Sequence, residues 1–253
     1  MFYPGLHQPS DTKHFHRALL SVNRLRDRVT PLPGIEELII DSGAFTEITT
    51  HGRYRSTPAE YAAELRRWSP EGGPGSIMAA RGCRVLAAVA QDYMCEPFVL
   101  GITGLTVADH QRLTIERYDA LLACDTGGIP IMPVLQGYRP AEYVEHIRQY
   151  GARLTPGMWV GVGSVCKRNG NAASIEAVLL AIHRERPDLR LHGFGIKTTA
   201  LGSGLVRDLL YSADSNAWSY AARKQGRNAN DWREAVRFAE RIETMPVQEV
   251  MPL

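Results

Sequence analysis

The sequence has no hydrophobic run long enough to cross a membrane. Its longest apolar stretches, residues 85–90 and 177–182, are far shorter than the ~18 residues that a transmembrane helix requires. The first residues, 1–17, include His, Asp and Pro and lack the apolar core of a secretory signal. We therefore expect a cytoplasmic protein that is neither secreted nor inserted in a membrane.

Cysteine is scarce as well. The chain of 253 residues contains four cysteines, Cys83, Cys95, Cys124 and Cys166, and none stands close to another. Secreted disulfide scaffolds are richer in cysteine, and zinc sites usually show a short spacing between two ligands. The sequence thus predicts reduced thiols and argues against a zinc site.

Neither sign of charge is in large excess. The chain has 29 basic and 27 acidic residues, which gives a net charge of +2 with the 8 histidines neutral. This total neither indicates nor excludes a nucleic-acid partner, because the distribution of charge matters more than the sum. Since 44% of the residues are hydrophobic, the chain can form a large core, and disorder is excluded as its main character.

Short apolar runs alternate with amphipathic segments from one end of the chain to the other. Several runs are apolar on both faces, as in residues 38–40 and 85–90, which is typical of a parallel sheet covered by helices. Eight such runs in about 250 residues predict an α/β fold, a single (β/α)8 TIM-type barrel that spans residues 1–253 as one domain. The predicted strands are 2–6, 19–23, 37–41, 85–91, 130–136, 158–163, 190–196 and 209–213.

Capping residues predict where several helices begin. Thr57 is followed by a proline and by Glu60 at the third helical position, and Thr106 with Asp109 has the same spacing. The other predicted helices begin at Pro140, include residues 175–182, and run from about residue 230 to 242.

Polar residues and glycines collect where the predicted strands end. In a barrel of this type, ligands bind at these ends and in the loops that follow. Glycines there would allow a ligand to approach backbone N–H groups closely. The strand-end residues are Asp41-Ser42-Gly43, Gln91-Asp92, Gln136-Gly137, Gly161-Val162-Gly163-Ser164, Gly195 with Lys197, and Asp214-Ser215-Asn216.

Several of these residues also have a simpler interpretation. An aspartate at a strand end often caps the next helix, and this explanation is open for Asp214. Asp92 follows an apolar run and is flanked by Tyr93 and Met94, so burial should raise its pKa and suit it to proton transfer. For Lys197 two roles are open, Schiff-base formation or contact with a phosphate.

The order and content of the strand ends resemble the tRNA-guanine transglycosylase (queuine tRNA-ribosyltransferase) superfamily, and within it the short DpdA-like proteins tied to 7-deazaguanine modification of DNA. The family's Asp-Ser-Gly-Gly-Phe is similar to the stretch that begins at Asp41, and its Phe-Asp-Glu-Cys-Thr to the one around Asp92. Its Val-Gln-Gly resembles the stretch around Gln136, and its Met-Phe-Asp-Cys the one around Asp214. Two further stretches, 160–165 and 193–197, resemble its Val-Gly-Gly-Leu-Ala-Val and Leu-Met-Gly-Val-Gly.

The resemblance implies a pentosyltransferase that exchanges one base for another with no metal or organic cofactor. Asp214 would attack C1′ of the sugar and release guanine, which leaves a covalent glycosyl-enzyme. Asp92 would protonate the leaving base and then deprotonate the incoming 7-deazaguanine, of the 7-cyano-7-deazaguanine type. A base that reacts in a pocket must be extruded from its stack, which suits a polynucleotide substrate.

Other strand-end residues would bind the substrate. Gln136 and the backbone amides of residues 161–164 would bind the carbonyl edge of the base, Phe194 would stack on it, and Asp119 would read its exocyclic amine. The full set that the resemblance assigns to substrate binding is Asp41, Ser42, Gly43, Tyr93, Asp119, Gln136, Gly137, Gly161, Gly163, Ser164, Phe194, Gly195 and Lys197.

One motif of the tRNA enzymes has no counterpart in this sequence, the C-terminal Cys-x-Cys-x-x-Cys…His zinc site. Because that extension helps to grip tRNA, we expect DNA as the substrate, with free 7-deazaguanine base and accessory DNA-modification proteins as further partners. Arg223, Lys224 and Arg227 would contact the nucleic-acid backbone beside Trp218 and Tyr220.

Three other functions stay open on the sequence alone. The same exchange could act on tRNA, or the barrel could bind nucleic acid or a modified base without turnover. An unrelated barrel enzyme for a small phosphorylated metabolite, with Lys197 as its key residue, is the third.

Overall fold

The computed structural model describes residues 1–73, 76–77, 83–168 and 171–245. The predicted domain also includes residues 74–75, 78–82, 169–170 and 246–253, which lie outside the described residues.

The described residues form an α/β fold with two parallel sheets. One sheet has the order β1-β9-β8-β7-β6 and the other β2-β3-β4-β5, and every pairing within them is parallel. The strands are β1 (Phe2–Pro4), β2 (Arg17–Ser21), β3 (Glu37–Asp41), β4 (Arg84–Val89), β5 (Ile131–Met132), β6 (Val134–Leu135), β7 (Trp159–Val162), β8 (Arg190–Gly193) and β9 (Leu210–Ser215).

Each predicted strand overlaps an observed one, and the fifth is divided in two. Pro133 separates β5 from β6 because proline has no N–H to donate to the ladder. Its carbonyl still accepts a hydrogen bond from the Gly161 N–H at 2.8 Å. The sheets also approach each other beyond β1, where Gly5 forms a parallel bridge with Leu19 and the Leu6 N–H donates to the Leu19 carbonyl at 3.0 Å.

Helices occupy most of the chain between the strands. They are α1 (Ala44–His51), α2 (Pro58–Trp68), α3 (Pro97–Thr103), α4 (Val107–Leu122), α5 (Pro140–Tyr150), α6 (Ala172–Glu185), α7 (Thr198–Leu201), α8 (Gly204–Leu209), α9 (Ala217–Lys224) and α10 (Trp232–Thr244). The predicted capping boxes at Thr57 and Thr106 are confirmed: each side chain accepts from the N–H three residues on, and the acidic side chain there accepts from the cap. In the part of the chain described here, every helix is too short or too polar to cross a membrane.

The apolar core has an inner part that involves both sheets. Tyr3, Leu19, Ile39, Val89 and Val134, which come from β1, β2, β3, β4 and β6, form one buried cluster. Burial of an aliphatic side chain of this size contributes roughly 1.5–3 kcal/mol. Larger clusters between the strands and the helices complete the core. The inner cluster lies below the carboxyl ends of the strands and supports the site described next.

Candidate active site

A cavity of about 710 Å³ lies at the carboxyl ends of the strands. Its volume is in the range of ~300–1,000 Å³ typical of small-molecule sites. Leu19 and Val89 from the inner cluster form part of its lining, and residues at the carboxyl ends of strands or in the chain that follows them form the rest. Asp41, Asp92 and Asp214, the three aspartates of the predicted strand ends, all line this one cavity.

One side of the cavity is made of enclosed polar residues. We call it the buried half, and it consists of Asp92, Glu96, Gln136, Gly163 and Ser164, from the chain that follows β4, β6 and β7. Asp92 is 6% exposed and Gln136 is fully buried. Buried polar groups need hydrogen-bond partners. The residues of the buried half act as partners for one another.

Asp92 receives two side-chain hydrogen bonds. The Gln136 amide nitrogen donates to its Oδ2, and the Ser42 hydroxyl donates to its Oδ1 at 3.5 Å. Burial, with a contribution from the negative charge of Asp41, raises the pKa of Asp92 to about 7. Near neutral pH this carboxyl can therefore both give and take a proton, as a general acid and base must.

Ser164 fixes the orientation of the Gln136 amide. Its hydroxyl accepts from the Cys95 N–H at 2.8 Å and lies 2.7 Å from Gln136 Oε1 and 2.9 Å from Glu96 Oε2. Because a hydroxyl has one proton, it donates to one of these oxygens at a time. Ser164 has φ 55°, in the left-handed region that is costly for a residue with a side chain. The surrounding hydrogen bonds hold this strained conformation and keep the amide nitrogen of Gln136 directed to Asp92.

Asp214 lies at the end of β9 and is held by a second set of groups. Its Oδ1 accepts from the Gly195 N–H at 3.1 Å and lies 3.3 Å from Nε2 of His192. His192 is fully buried, and its Nδ1 lies 2.8 Å from the Ser212 hydroxyl, which in turn accepts from the Trp159 indole at 2.8 Å. A proton on Nε2 is the tautomer that suits a carboxylate neighbour. The chain of contacts thus orients Asp214 from behind.

Asp41 is the first of the three aspartates in the sequence and interacts electrostatically with the other two. Its Oδ2 accepts from the Gly43 N–H at 3.0 Å. Burial raises the pKa of Asp41 to about 6, with a contribution from the negative charge of Asp214. Because Asp41 also raises the pKa of Asp92, the three carboxyls form one electrostatically coupled group.

Another part of the cavity has a different character. We call it the open half, and it consists of His7, Asn23, Arg24 and Asn216, from the chain that follows β1, β2 and β9. Arg24 and Asn216 are exposed. Burial, together with the positive charges of Arg24 and Arg223, lowers the pKa of His7.

The predicted site residues fall into three groups. Those that line the cavity are Asp41, Gly43, Asp92, Gln136, Gly163, Ser164, Phe194, Gly195 and Asp214.

A second group supports the lining from behind. Besides contacting Asp92, the Ser42 hydroxyl lies 3.0 Å from the Tyr54 hydroxyl, and the Tyr93 ring packs edge-on against Tyr54. A side chain at Gly161 would collide with the ring of Phe194, so this glycine makes room for it.

Gly137 has a similar function beside Tyr143, since a Cβ there would lie 3.0 Å from the Tyr143 ring. The Tyr143 hydroxyl donates to the Gly163 carbonyl at 2.7 Å. Gly137 therefore allows the close packing that positions Gly163 in the buried half.

The third group is not part of the described cavity lining, and Asp119 belongs to it. Helix α4 begins at Val107 on the side of the cavity, and Asp119 lies twelve residues further along, which is about 18 Å of helix. Asp119 pairs instead with Arg153 at 2.7 Å. Lys197 precedes α7 and is not one of the described residues that line the cavity.

The three predicted backbone contacts have different surroundings. Arg227 pairs with Glu234, and Lys224 lies 5.6 Å from the centre of the Tyr220 ring. Arg223, on the last turn of α9, is exposed and acts electrostatically on His7 in the open half. Of these three residues, Arg223 is therefore the one whose charge acts on a residue that lines the cavity.

Several functional candidates carry no motif in the sequence. His192 stands inside a predicted strand, and its importance comes from its contact with Asp214. Asn23 stands at the end of a predicted strand and Arg24 directly after it, so the strand-end rule points to this region. Glu96 is 2% exposed and stands four residues after Asp92. Among residues 1–73, 76–77, 83–168 and 171–245, no three His, Cys, Asp or Glu side chains are grouped so as to hold a metal ion.

Comparison with known proteins gives one family. Residues 1–237 of the 253 match the family described as DpdA, DeoxyPurine in DNA protein A. No curated protein sequence matches the chain.

Proposed function

Because the chain belongs to the DpdA family, DeoxyPurine in DNA protein A, we propose that it replaces guanine in DNA with a 7-deazaguanine derivative through a covalent aspartyl intermediate. Membership in this family implies participation in 7-deazaguanine modification of DNA by a transglycosylase-type enzyme, with DNA as the substrate. The observation that carries the finer proposal is that Asp92 and Asp214 line the same cavity in different electrostatic environments.

Asp214 is the nucleophile of the proposed first step. Its carboxylate oxygen attacks C1′, the C1′–N9 bond breaks, and the bonding electron pair stays with the leaving guanine. The Gly195 N–H and His192 hold the other end of the carboxylate in place. A carboxylate that is orientated from behind needs little reorganisation to reach the sugar.

Asp92 is the proton carrier of both steps. It protonates the departing guanine, then accepts the N9 proton of the incoming 7-deazaguanine as N9 attacks C1′ and the bond to Asp214 breaks. One proton thus leaves Asp92 and one returns in each exchange. The pKa of about 7 suits this cycle. Asp41, with a pKa of about 6 and in the same cavity, is the second candidate for this task.

The base occupies the buried half. Amide and hydroxyl groups of Gln136 and Ser164, at fixed positions, match the hydrogen-bonding edge of a purine, and Phe194 provides an aromatic face. The two sheets, which approach each other at Gly5–Leu19 and on either side of Pro133, form in this proposal a single closed (β/α)8 barrel around the inner cluster.

The test is to mix the protein with guanine-containing duplex DNA or with tRNA and with labelled 7-cyano-7-deazaguanine. We expect label in the DNA, and a denaturant-resistant protein–DNA adduct when no replacement base is added. Asp214→Asn should abolish the adduct and lower exchange at least ~10³-fold, as for other nucleophile deletions. Asp208→Asn, an exposed aspartate of α8, is the matched control and should leave both unchanged.

Two results would contradict the proposal. Label in tRNA alone would exclude DNA as the substrate of the exchange. Continued exchange by Asp214→Asn would mean that another group is the nucleophile.

A further inference from the structure

The open half contains a buried amide donor with nothing to bind. Nδ2 of Asn23 is shielded from solvent, and no hydrogen-bond acceptor for it is found among the residues that the structure describes. This nitrogen packs over Gly43, next to Asp41, in the lining of the cavity. A buried donor without an acceptor is destabilising and uncommon in folded proteins. It therefore points to an acceptor atom that a ligand supplies.

Arg24 follows Asn23 directly and has a free guanidinium. It lines the cavity, is exposed, and forms no ion pair or hydrogen bond within the described part of the chain. The arginines of α4 and α5 differ from it, since Arg112 pairs with Glu116 and Arg148 pairs with Glu185. An unpaired arginine has a preference for an added anion, because its planar fork matches phosphate oxygens.

Asn216 is the third side chain of this group and lines the same cavity as Asp214. It stands two residues after Asp214, and its amide packs against Gly5 at the edge of the cavity. Like Asn23, its side chain has no hydrogen bond to any residue in the ranges that the structure describes. Two amides and a guanidinium, from the chain that follows β2 and β9 on either side of β1 and Gly5, therefore line the same cavity as Asp214.

We propose that Asn23, Arg24 and Asn216 bind a backbone phosphate of the DNA strand beside the nucleotide whose sugar meets Asp214. The inference rests on the proposed function, because it assumes that the base of this nucleotide enters the buried half. It adds the residues that hold the sugar–phosphate backbone, which neither the family match nor the sequence motifs assign. The guanidinium neutralises the phosphate, and the two amides donate to its oxygens or to the adjacent sugar oxygens.

The experiment measures the affinity of duplex DNA as a function of salt concentration. Each phosphate that a cation neutralises contributes ~0.9 to the slope of log affinity against log salt. Arg24→Gln should lower the affinity ~10-fold and the slope by ~1, whereas Arg24→Lys should keep the slope. Asn23→Ala should lower the affinity ~10-fold or more, as for a lost hydrogen bond to a charged group, without changing the slope. Arg184→Gln, an exposed arginine at the far end of α6, is the matched control and should change neither.

The outcomes separate this inference from the proposed function. An unchanged slope for Arg24→Gln would overturn the inference even if the enzyme exchanges bases normally. A lower slope for Arg24→Gln in a protein that performs no exchange would support the phosphate site and contradict the exchange. Binding of free 7-deazaguanine base is the folding check, because it should be the same for Arg24→Gln and the unaltered protein.

Discussion

The buried half and the open half of the cavity satisfy their polar groups in different ways. In the buried half, Asp92, Gln136, Ser164 and Glu96 are connected by hydrogen bonds in the free protein. In the open half, the side chains of Asn23, Arg24 and Asn216 have no such bonds to any residue of the described ranges. The first half is complete without a ligand, and the second is not.

The difference corresponds to the two parts of the proposed substrate. A planar base presents donors and acceptors at fixed positions, so a preorganised network recognises it with little loss of entropy. A phosphodiester backbone is charged and flexible, and an exposed arginine with two amides can follow it. The coupled aspartates lie where the base and the backbone of the same nucleotide would meet.

Among the residues of the two halves, the largest effect is expected from Asp92, the ionisable centre of the buried half. Asp92→Asn should lower the rate of exchange ~10²–10⁴-fold, because the proton carrier is lost. In the unaltered protein, guanine release should slow as the pH rises above about 7, since Asp92 loses the proton that it must donate. A single-turnover assay of guanine release against pH measures both effects.

Asp41→Asn is the comparison that assigns the proton. If Asp92 carries the proton, the decrease in the rate of guanine release above pH ~7 should be absent in Asp92→Asn and present in Asp41→Asn. The opposite result would transfer the role to Asp41, whose pKa is raised to about 6.

The second-largest effect is expected on the free energy of unfolding. The folded-state pKa of Asp92 is about 7, above the ordinary 3.8, so the folded protein holds this proton more tightly than the unfolded chain. Its contribution to stability is therefore complete below pH ~4 and is lost as the pH rises to ~7, by up to about 4 kcal/mol. Asp92→Asn removes this loss. Urea unfolding measures the free energy of unfolding, and Asp92→Asn should raise it more at pH 8 than at pH 5. An equal change at the two pH values would contradict a buried Asp92 that binds a proton.

A pair of glycines compares the rigidity of the two halves. The Cβ of Gly163→Ala would collide with Gln136 Nε2, and that of Gly5→Ala would collide with Asn216 Oδ1. Gln136 is fixed by its buried network, whereas Asn216 is exposed and can rotate away. Gly163→Ala should weaken binding of free 7-deazaguanine ~10–100-fold, as expected when one or two hydrogen bonds are displaced.

Gly5→Ala should change that affinity less than ~2-fold, because the exposed side chain of Asn216 can move away from the added methyl group. Isothermal titration of the free base into both variants is the measurement. Equal losses in the two variants would mean that the buried half is no more rigid than the open half.

The strands were predictable from the sequence because each is a short apolar run between polar loops. The break at Pro133 could have been predicted too, since proline cannot donate in a ladder. Five helices, α1, α3, α7, α8 and α9, were not predicted, because with four to eight residues each they are too short to show a helical period.

The site was predictable to the extent that it lies at strand ends. Parallel strands bring their carboxyl ends to one edge, which is why Asp41, Asp92 and Asp214 share a cavity. Asp119 lies on a helix, where similarity of residue type does not tell which end of the helix faces the cavity. Asn23 was missed because its significance is a missing partner, which a sequence does not display.

The smallest effect is expected from His7, the titratable residue of the open half. Its pKa is lowered by burial and by the charges of Arg24 and Arg223, so the imidazole is neutral at pH 8 and releases no counterion when DNA binds. His7→Gln should therefore leave the salt slope of DNA binding at pH 8 unchanged and alter the affinity less than ~2-fold, in contrast to the loss of ~1 in slope for Arg24→Gln. A lower slope for His7→Gln at that pH would mean that the phosphate draws a proton onto the imidazole. The open half would then bind its anion through two cations, and His7 would belong to the phosphate site together with Arg24.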